Sequence, residues 1–281
     1  MTYALIEAPR QGWTLPIGVI AVVGAMALVA FPVIEQHRQT PLLPPRIFRS
    51  LQFSGANLTT FAVYSAMGAG MFLLVLQLQQ SMGYSALSAG TATLPTTIIM
   101  LLASPRIGAL GQRTGPRLLM TAGPFIAAGG LALMARITPG AGYVCAVLPA
   151  VIVFGLGLSV TVAPLTSTML AAVSDNHVGA ASGVNNAISR IASLLAIAVL
   201  PAVAGIAAGP GQPLGAGFPR AALIAAAICA VGGVVAAITI PTGARVRPTG
   251  GAGHQPNVPG SRHPGGNRLA TRNRPRHRLT I

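Results

Sequence analysis

Residues 221–240 read AALIAAAICAVGGVVAAITI, a run of twenty positions without a charged side chain. An apolar helix of about 20 residues crosses the ~30 Å hydrocarbon core of a bilayer. The run is too apolar on every side for an amphipathic surface helix, and it lacks the alternation that would indicate a strand. It therefore predicts a transmembrane helix.

Six further runs of this kind precede it along the chain. They are Trp13–Ile34, Ser54–Leu78, Ala86–Ser104, Leu118–Ala135, Tyr143 to about Leu170, and a stretch within Ala180–Ala208. We therefore predict an all-α polytopic membrane protein with a seven-helix transmembrane domain over residues 13–240 and an external segment before it, residues 1–12. That segment lacks the features of a cleavable signal peptide, so we expect the first span to stay in the mature protein.

The composition of the chain excludes the other broad classes of protein. Its 18 basic and 3 acidic residues make 21 charges in 281 positions, and 52% of the residues are hydrophobic. A soluble globule needs more polar side chains to cover its surface, and a disordered chain needs a lower hydrophobicity. The net charge of +15 could indicate nucleic-acid binding, but eight arginines lie in a tail beyond Pro241, so we expect no nucleic-acid partner.

The tail, residues 241–281, is rich in Gly, Pro, Asn, His and Arg and contains no acid. It holds too little apolar surface to fold alone, so we predict a disordered tail. Attraction to anionic headgroups or RNA is one interpretation, and an overhang without a role is the other. The absence of stacking aromatic residues favours the overhang.

The arginines outside the spans fall unequally on the two sides of the predicted membrane domain. One side receives Arg10, Arg136 and Arg220, and the other receives the tail together with Arg38, Arg46, Arg49, Arg106, Arg113 and Arg117. Cytoplasmic loops carry the excess of positive residues. We therefore predict a plasma-membrane protein with its N-terminus outside and its C-terminus in the cytoplasm.

Residues 108–117, between the third and fourth spans, read GALGQRTGPR. They resemble the cytoplasmic loop motif of the Major Facilitator Superfamily, Gly-x-Leu-x-Asp-Arg-x-Gly-Arg-Arg. The aligned positions are Gly108, Leu110, Gln112, Arg113, Gly115 and Arg117. The glycines allow a sharp interhelical turn. In the family the Asp and Arg form a charge relay that favours one access state, but Gln112 stands here in place of the Asp. A plain basic turn is the alternative interpretation.

Other stretches resemble the same superfamily in the same order along the chain. They are residues 41–49, 53–58, 77–90, 155–157 and 164–166, and the positions Asp175, Gly179, Gly183, Asn186 and Arg190. Over about residues 7–240 the chain resembles the C-terminal half of the fourteen-helix drug:proton antiporters. The resemblance implies one extra helix followed by the C-terminal six-helix bundle of a major facilitator fold.

The same resemblance implies an efflux transporter for small amphipathic compounds, driven by protons and working by alternating access. We expect this half to be inactive alone, with a separately encoded N-terminal half as its expected partner. A non-transporting assembly partner or a truncated remnant is the alternative.

The predicted spans hold no Asp, Glu, His or Lys, so the proton-carrying acid is expected in the preceding half. Asp175 and His177 lie in a cytoplasmic loop, where a helix cap is the alternative to a proton site. No enzyme motif occurs, and we expect no catalytic, cofactor-binding or metal-binding residues. Cys145 and Cys229 lie in apolar runs and are expected to be small core residues.

Arg190 is the one charge within a predicted span. It lies deep in the bilayer if the helix begins near Val178, or at the interface if Ile191–Ala208 spans alone. Ser182, Asn186, Ser189 and Ser193 recur on the same helix side, either as helix–helix hydrogen bonds or as a wall of a translocation path. The path candidates are Asn57, Tyr64, Gln77, Thr93, Pro95, Asn186 and Arg190.

Overall fold

The structure is a computed structural model that describes residues 45–206 and 214–242, and scattered positions between residues 14 and 30. The predicted first span lies largely outside the described residues, although its described positions from Leu15 to Ala30 are helical. The predicted external segment, residues 1–12, and the tail from residue 243 also lie outside them. So do the side chains of Pro45, Arg46 and Gln112.

The described part of the chain is helical and contains no strand. Its helices are α1 (Leu51–Gln80), α2 (Ala86–Ala92), α3 (Leu94–Thr114), α4 (Pro116–Met134), α5 (Leu148–Ala171), α6 (Val178–Val203) and α7 (Gly217–Thr239). Short helical turns at Pro45–Arg49, Tyr143–Val147 and Asp175–His177 connect them. Within these residues six helical segments, with α2 and α3 taken together as one, are long and apolar enough to cross a membrane. The predicted all-α polytopic fold is confirmed.

The third predicted span, Ala86–Ser104, differs most from the structure. It breaks at Thr93 and then continues as α3 as far as Thr114. Pro95 lies in the first turn of α3, where its missing N–H leaves no helical hydrogen bond unmade. The Thr93 hydroxyl donates to the Gly90 carbonyl at 2.8 Å and so satisfies one backbone group at the break.

The helices form two layers. In the front layer α1 and α5 lie at the centre, α6 packs on α1, and α3 packs on α5. In the back layer α4 and α7 pack on each other, α4 behind α5 and α7 behind α1. The contacts stay the same when α1 is exchanged with α5, the α2–α3 segment with α6, and α4 with α7. This is the pattern of an internal three-plus-three repeat. The repeat was not predicted from the sequence.

Small residues bring the backbones of α4 and α5 into contact. A Cβ atom added at Gly157 would overlap the backbone of Ala127, and one added at Gly130 would overlap the backbone of Phe154. Transmembrane helices associate through such close approach, because lipid provides no hydrophobic force between them. Phe154 and Leu158 are then fully buried against the neighbouring helices.

Candidate functional site

Two front-layer segments are much less covered by the rest of the chain than the other four. In the most apolar stretch of Ala86–Gly111 and in that of the α6 segment, only 17% of residues are buried, against 44–56% in the other four segments. These uncovered surfaces carry most of the residues that sequence reasoning selected in the third and sixth spans. We therefore consider these two uncovered surfaces as candidate functional surfaces.

Hydrogen bonds set the register of α6 along α1. The Thr60 hydroxyl donates to the Asn185 side-chain oxygen at 2.8 Å, and the Ser193 hydroxyl donates to the Tyr64 carbonyl at 3.0 Å. The Ser65 hydroxyl also donates to a carbonyl of α6 at 3.3 Å. Because residue numbers rise together on both helices, α1 and α6 run in the same direction. The segment 185–193 of α6 therefore lies beside the middle of α1.

This register places Arg190 in the middle of its helix. Arg190 follows Val178, the first residue of α6, by twelve positions, which is about 18 Å of helix. In the alternative, Ile191–Ala208 spans the membrane alone and must be helical throughout. The helix in the structure ends at Val203, so it does not cover that stretch. From Ile191 to Val203 the helix is only about 20 Å long, too short for a ~30 Å hydrocarbon core.

Arg190 is exposed, and among the described residues it makes no hydrogen bond or ion pair. Asn186 lies one turn earlier on the same side of the helix and is also exposed. The exposed stripe around them consists of small residues and one leucine, and we call it the α6 face: Gly179, Gly183, Asn186, Ala187, Arg190 and Leu194. It combines a permanent cation and an amide with little side-chain bulk.

The predicted polar stripe of α6 is divided between two surroundings. Ser193 bonds to α1, and Ser189 is buried and donates to the carbonyl of Asn186 at 2.9 Å. Ser182, Asn186 and Arg190 are exposed. Sequence reasoning missed Asn185, which bonds to α1 and stands beside Asn186. The sequence does show a second polar side chain next to Asn186, and that could have indicated a contact with a neighbouring helix.

The path candidates of α1 are not gathered at one place. Asn57 is buried, its amide nitrogen donates to the Phe53 carbonyl at 2.9 Å, and its Oδ1 has no partner in the described part. Tyr64 is half-buried beside α6. Gln77 is buried, donates to the Ile137 carbonyl at 3.1 Å, and accepts a hydrogen bond from a serine at 2.9 Å. Its contacts are those of an anchor for the loop between α4 and α5.

Thr93 and Pro95, the candidates of the third predicted span, lie at the break between α2 and α3 and are half-buried. Asn57 and Tyr64 therefore lie on α1, and Asn186 and Arg190 lie on α6, the helix that packs against α1. It keeps Gln77, Thr93 and Pro95 near the opposite end of the bundle.

The motif at residues 108–117, predicted as a loop with a sharp interhelical turn, has that sharp turn but is helical almost throughout. Gly108, Leu110 and Arg113 belong to α3, and the turn consists of Gly115 alone, with φ +84° and ψ 151°. Pro116 starts α4 directly, at the helix position that proline prefers. The Arg117 guanidinium donates to the Thr242 hydroxyl at 2.9 Å, which links the turn to the end of α7.

The remaining sequence candidates show no assembled chemistry. The Ser174 hydroxyl lies 2.7 Å from His177 Nδ1 in the exposed turn before α6. Cys229 is buried as predicted, whereas Cys145 is exposed, so its prediction as a core residue is wrong. Within the described ranges no three His, Cys, Asp or Glu side chains come together to hold a metal ion.

Comparison with known proteins identifies the family. Residues 8–197 match the Major Facilitator Superfamily. The chain is 33% identical over 207 residues to a puromycin resistance protein of Streptomyces alboniger, covering 72% of this chain and 41% of that protein. It is 30% identical over 234 residues to a methylenomycin A resistance protein of Bacillus subtilis, covering 80% of this chain and 50% of that protein.

A cephamycin export protein of Amycolatopsis lactamdurans is 29% identical over 208 residues, with 73% of this chain and 43% of that protein covered. The chain thus spans about half the length, or less, of these relatives. With the helical bundle, the match confirms the family drawn from the loop motif and the spacing of the other stretches. The chain belongs to the Major Facilitator Superfamily and is similar to its drug-resistance and export proteins.

Proposed function

We propose that the protein takes part in proton-coupled efflux of small amphipathic compounds by alternating access, with the α6 face as one wall of the translocation path. The relatives named for drug resistance and export support a transport role and do not favour a non-transporting membrane partner. The observation that carries the proposal is the position of Arg190, exposed at the middle of a membrane-spanning helix.

A guanidinium exposed to hydrocarbon at this depth would cost about 3 kcal/mol or more. Such residues therefore face a protein interior or a water-filled cavity. Asn186 extends the polar surface by one turn, and the small residues of the α6 face leave room beside it. A hydrated path along this face removes the cost of placing the guanidinium in hydrocarbon and makes its charge available to a transported compound.

Proton coupling needs a titratable group, and the described membrane-spanning helices contain no Asp, Glu, His or Lys. We propose that this group lies on further helices, in keeping with the greater length of the relatives. Those helices would form the opposite wall, while Gly115 and Arg117 anchor the turn at the proposed cytoplasmic end.

The test is accumulation of a fluorescent amphipathic dye in plasma-membrane vesicles or pump-deficient cells. One arm expresses this chain alone, and the other expresses it with the reading frame encoded directly upstream. We expect efflux that a protonophore abolishes only in the second arm. Efflux by the chain alone would refute the need for further helices. Absence of efflux in both arms, with both products in the membrane, would refute the transport function.

A further inference from the structure

The charges of the described bundle are distributed unevenly along its depth. Arg113 and Arg117 lie at the turn between α3 and α4, and Arg136 and Arg220 lie near the other end of the bundle. Arg106 lies within α3, where its guanidinium donates to the Leu102 carbonyl at 3.1 Å. The one described acid is Asp175, in the turn before α6. Arg106 is thus held by a backbone carbonyl of its own helix, whereas Arg190 is a charge at mid-depth that makes no hydrogen bond among the described residues. A site against this wall has positive charge, and the described helices contribute no acid to offset it.

The side chains of the α6 face suit an anion better than a cation. The guanidinium of Arg190 presents five N–H donors in a planar fork that matches a carboxylate or a sulfonate. The amide of Asn186 lies one turn away on the same side and offers two more donors. Gly183 and Ala187, the exposed neighbours on that stripe, leave the approach open.

Apolar side chains adjoin the cation, Ile191 directly after it and Leu194 one turn further on. Ile191 and Leu194 are 47% and 46% exposed, and both follow Arg190 within four residues. A ligand that places one anionic group on Arg190 can lay an apolar body along these side chains. A cationic amphiphile of the same shape would meet the guanidinium without any acid on the described helices to neutralise it.

From this arrangement we infer that the wall formed by α6 selects amphipathic compounds with a single anionic group, a carboxylate or sulfonate, which Arg190 and Asn186 bind. This inference rests on the proposed function, because it names the substrate class of the same path. The proposed contact is a charge-assisted hydrogen bond between the guanidinium and the anionic group of the compound. Selectivity is therefore set by the charge of the compound: a carboxylate is recognised above its own pKa and loses that recognition below it.

The experiment is fluorescence titration of the whole chain in nanodiscs of zwitterionic lipid. The matched probes are dansyl-undecanoic acid and a dansyl-undecyl trimethylammonium compound. The variants are Arg190→Gln and Arg190→Lys, with Arg136→Gln, an exposed arginine outside the helices, as the control. Thermal unfolding of each variant checks that it is folded.

We expect Arg190→Gln to weaken binding of the carboxylate probe at least tenfold and not to weaken binding of the ammonium probe. Arg190→Lys should keep the preference for the carboxylate, and Arg136→Gln should leave both affinities unchanged. Equal affinity of the wild type for both probes would overturn the inference, as would equal losses in Arg190→Gln and Arg136→Gln. Pairing of Arg190 with a carboxylate on another helix would produce the first of these outcomes.

The outcome is independent of transport. Arg190-dependent binding without efflux in either arm of the transport test would refute the proposed function and leave the ligand class standing. Efflux of cationic compounds that Arg190→Gln leaves unchanged would refute the ligand class and leave transport standing.

Discussion

The two glycines of the loop motif allow a matched test of its structure. Gly115 forms the whole turn between α3 and α4, with φ +84° and ψ 151°. Gly108 lies in the interior of α3 seven residues earlier, and a Cβ added there would meet nothing within 4 Å. We predict that Gly115→Ala and Gly108→Ala change the free energy of unfolding in opposite directions.

The expected magnitudes follow from the backbone and not from steric overlap. A Cβ added at Gly115 would lie 3.6 Å from the Thr242 carbonyl oxygen, which is ordinary contact. The backbone conformation of Gly115 is almost confined to glycine, and an alanine held there costs about 1–3 kcal/mol. Alanine in place of glycine within a helix stabilises it by about 0.5–1 kcal/mol. The two variants should therefore differ by about 1.5–4 kcal/mol.

The measurement is reversible unfolding of the whole chain in mixed micelles, titrated with SDS and followed by circular dichroism, or its thermal unfolding in detergent. Gly115→Asn is a third variant. Asn tolerates positive φ mostly in the left-handed helical region, whereas Gly115 has ψ 151°, so its loss of stability should be similar to that of Gly115→Ala.

Equal effects of Gly115→Ala and Gly108→Ala would refute the reasoning, because they would mean that both glycines have the same backbone role. A stabilising Gly115→Ala would mean that the turn is made elsewhere in the motif. A destabilising Gly108→Ala would mean that a helix outside the described part packs against that position.

Three further predictions concern the packing of the bundle. Gly130→Ala, which meets the backbone of α5, should destabilise by about 1–3 kcal/mol in the same unfolding assay, whereas Gly129→Ala, in open space, should not destabilise. Gln77→Ala should cost about 1–3 kcal/mol because it leaves a buried loop carbonyl without its donor, and half-buried Gln79→Ala should change stability by less than that. Ser193→Ala should cost about 1 kcal/mol or less, since its hydroxyl already shares its hydrogen between a carbonyl of α1 and one of its own helix, both at 3.0 Å; a loss above about 2 kcal/mol would contradict this.

Apolar run length was sufficient to predict the membrane-spanning helices. The second, fourth and seventh spans were predicted as Ser54–Leu78, Leu118–Ala135 and Ala221–Ile240, and the corresponding helices begin and end within four residues of these limits. Local composition suffices here because a helix in lipid satisfies its own backbone hydrogen bonds. The exact extent of α3 could not be predicted this way, since its last turns carry arginines and lie beyond the apolar run.

The residues of the candidate site could not be selected from the sequence alone, because the sequence does not show which side of α6 faces α1. Asn185 and Asn186 are neighbours in sequence, yet one bonds to α1 and the other is exposed. A helix turns about 100° per residue, so the position of the neighbouring helix decides which of two adjacent polar side chains is paired. Gln77, predicted as a path residue, donates to the Ile137 carbonyl sixty positions later, a contact that depends on the packing of the helices.

Apolar run length and motif order, which are local properties of the chain, were therefore enough to identify a helical membrane protein of the Major Facilitator Superfamily. Tertiary structure decided the pairing of α1 with α6, the single-residue turn at Gly115 and the two-layer arrangement. It also decided that Arg190 lies exposed at mid-depth, because depth depends on where α6 ends and how it registers against α1.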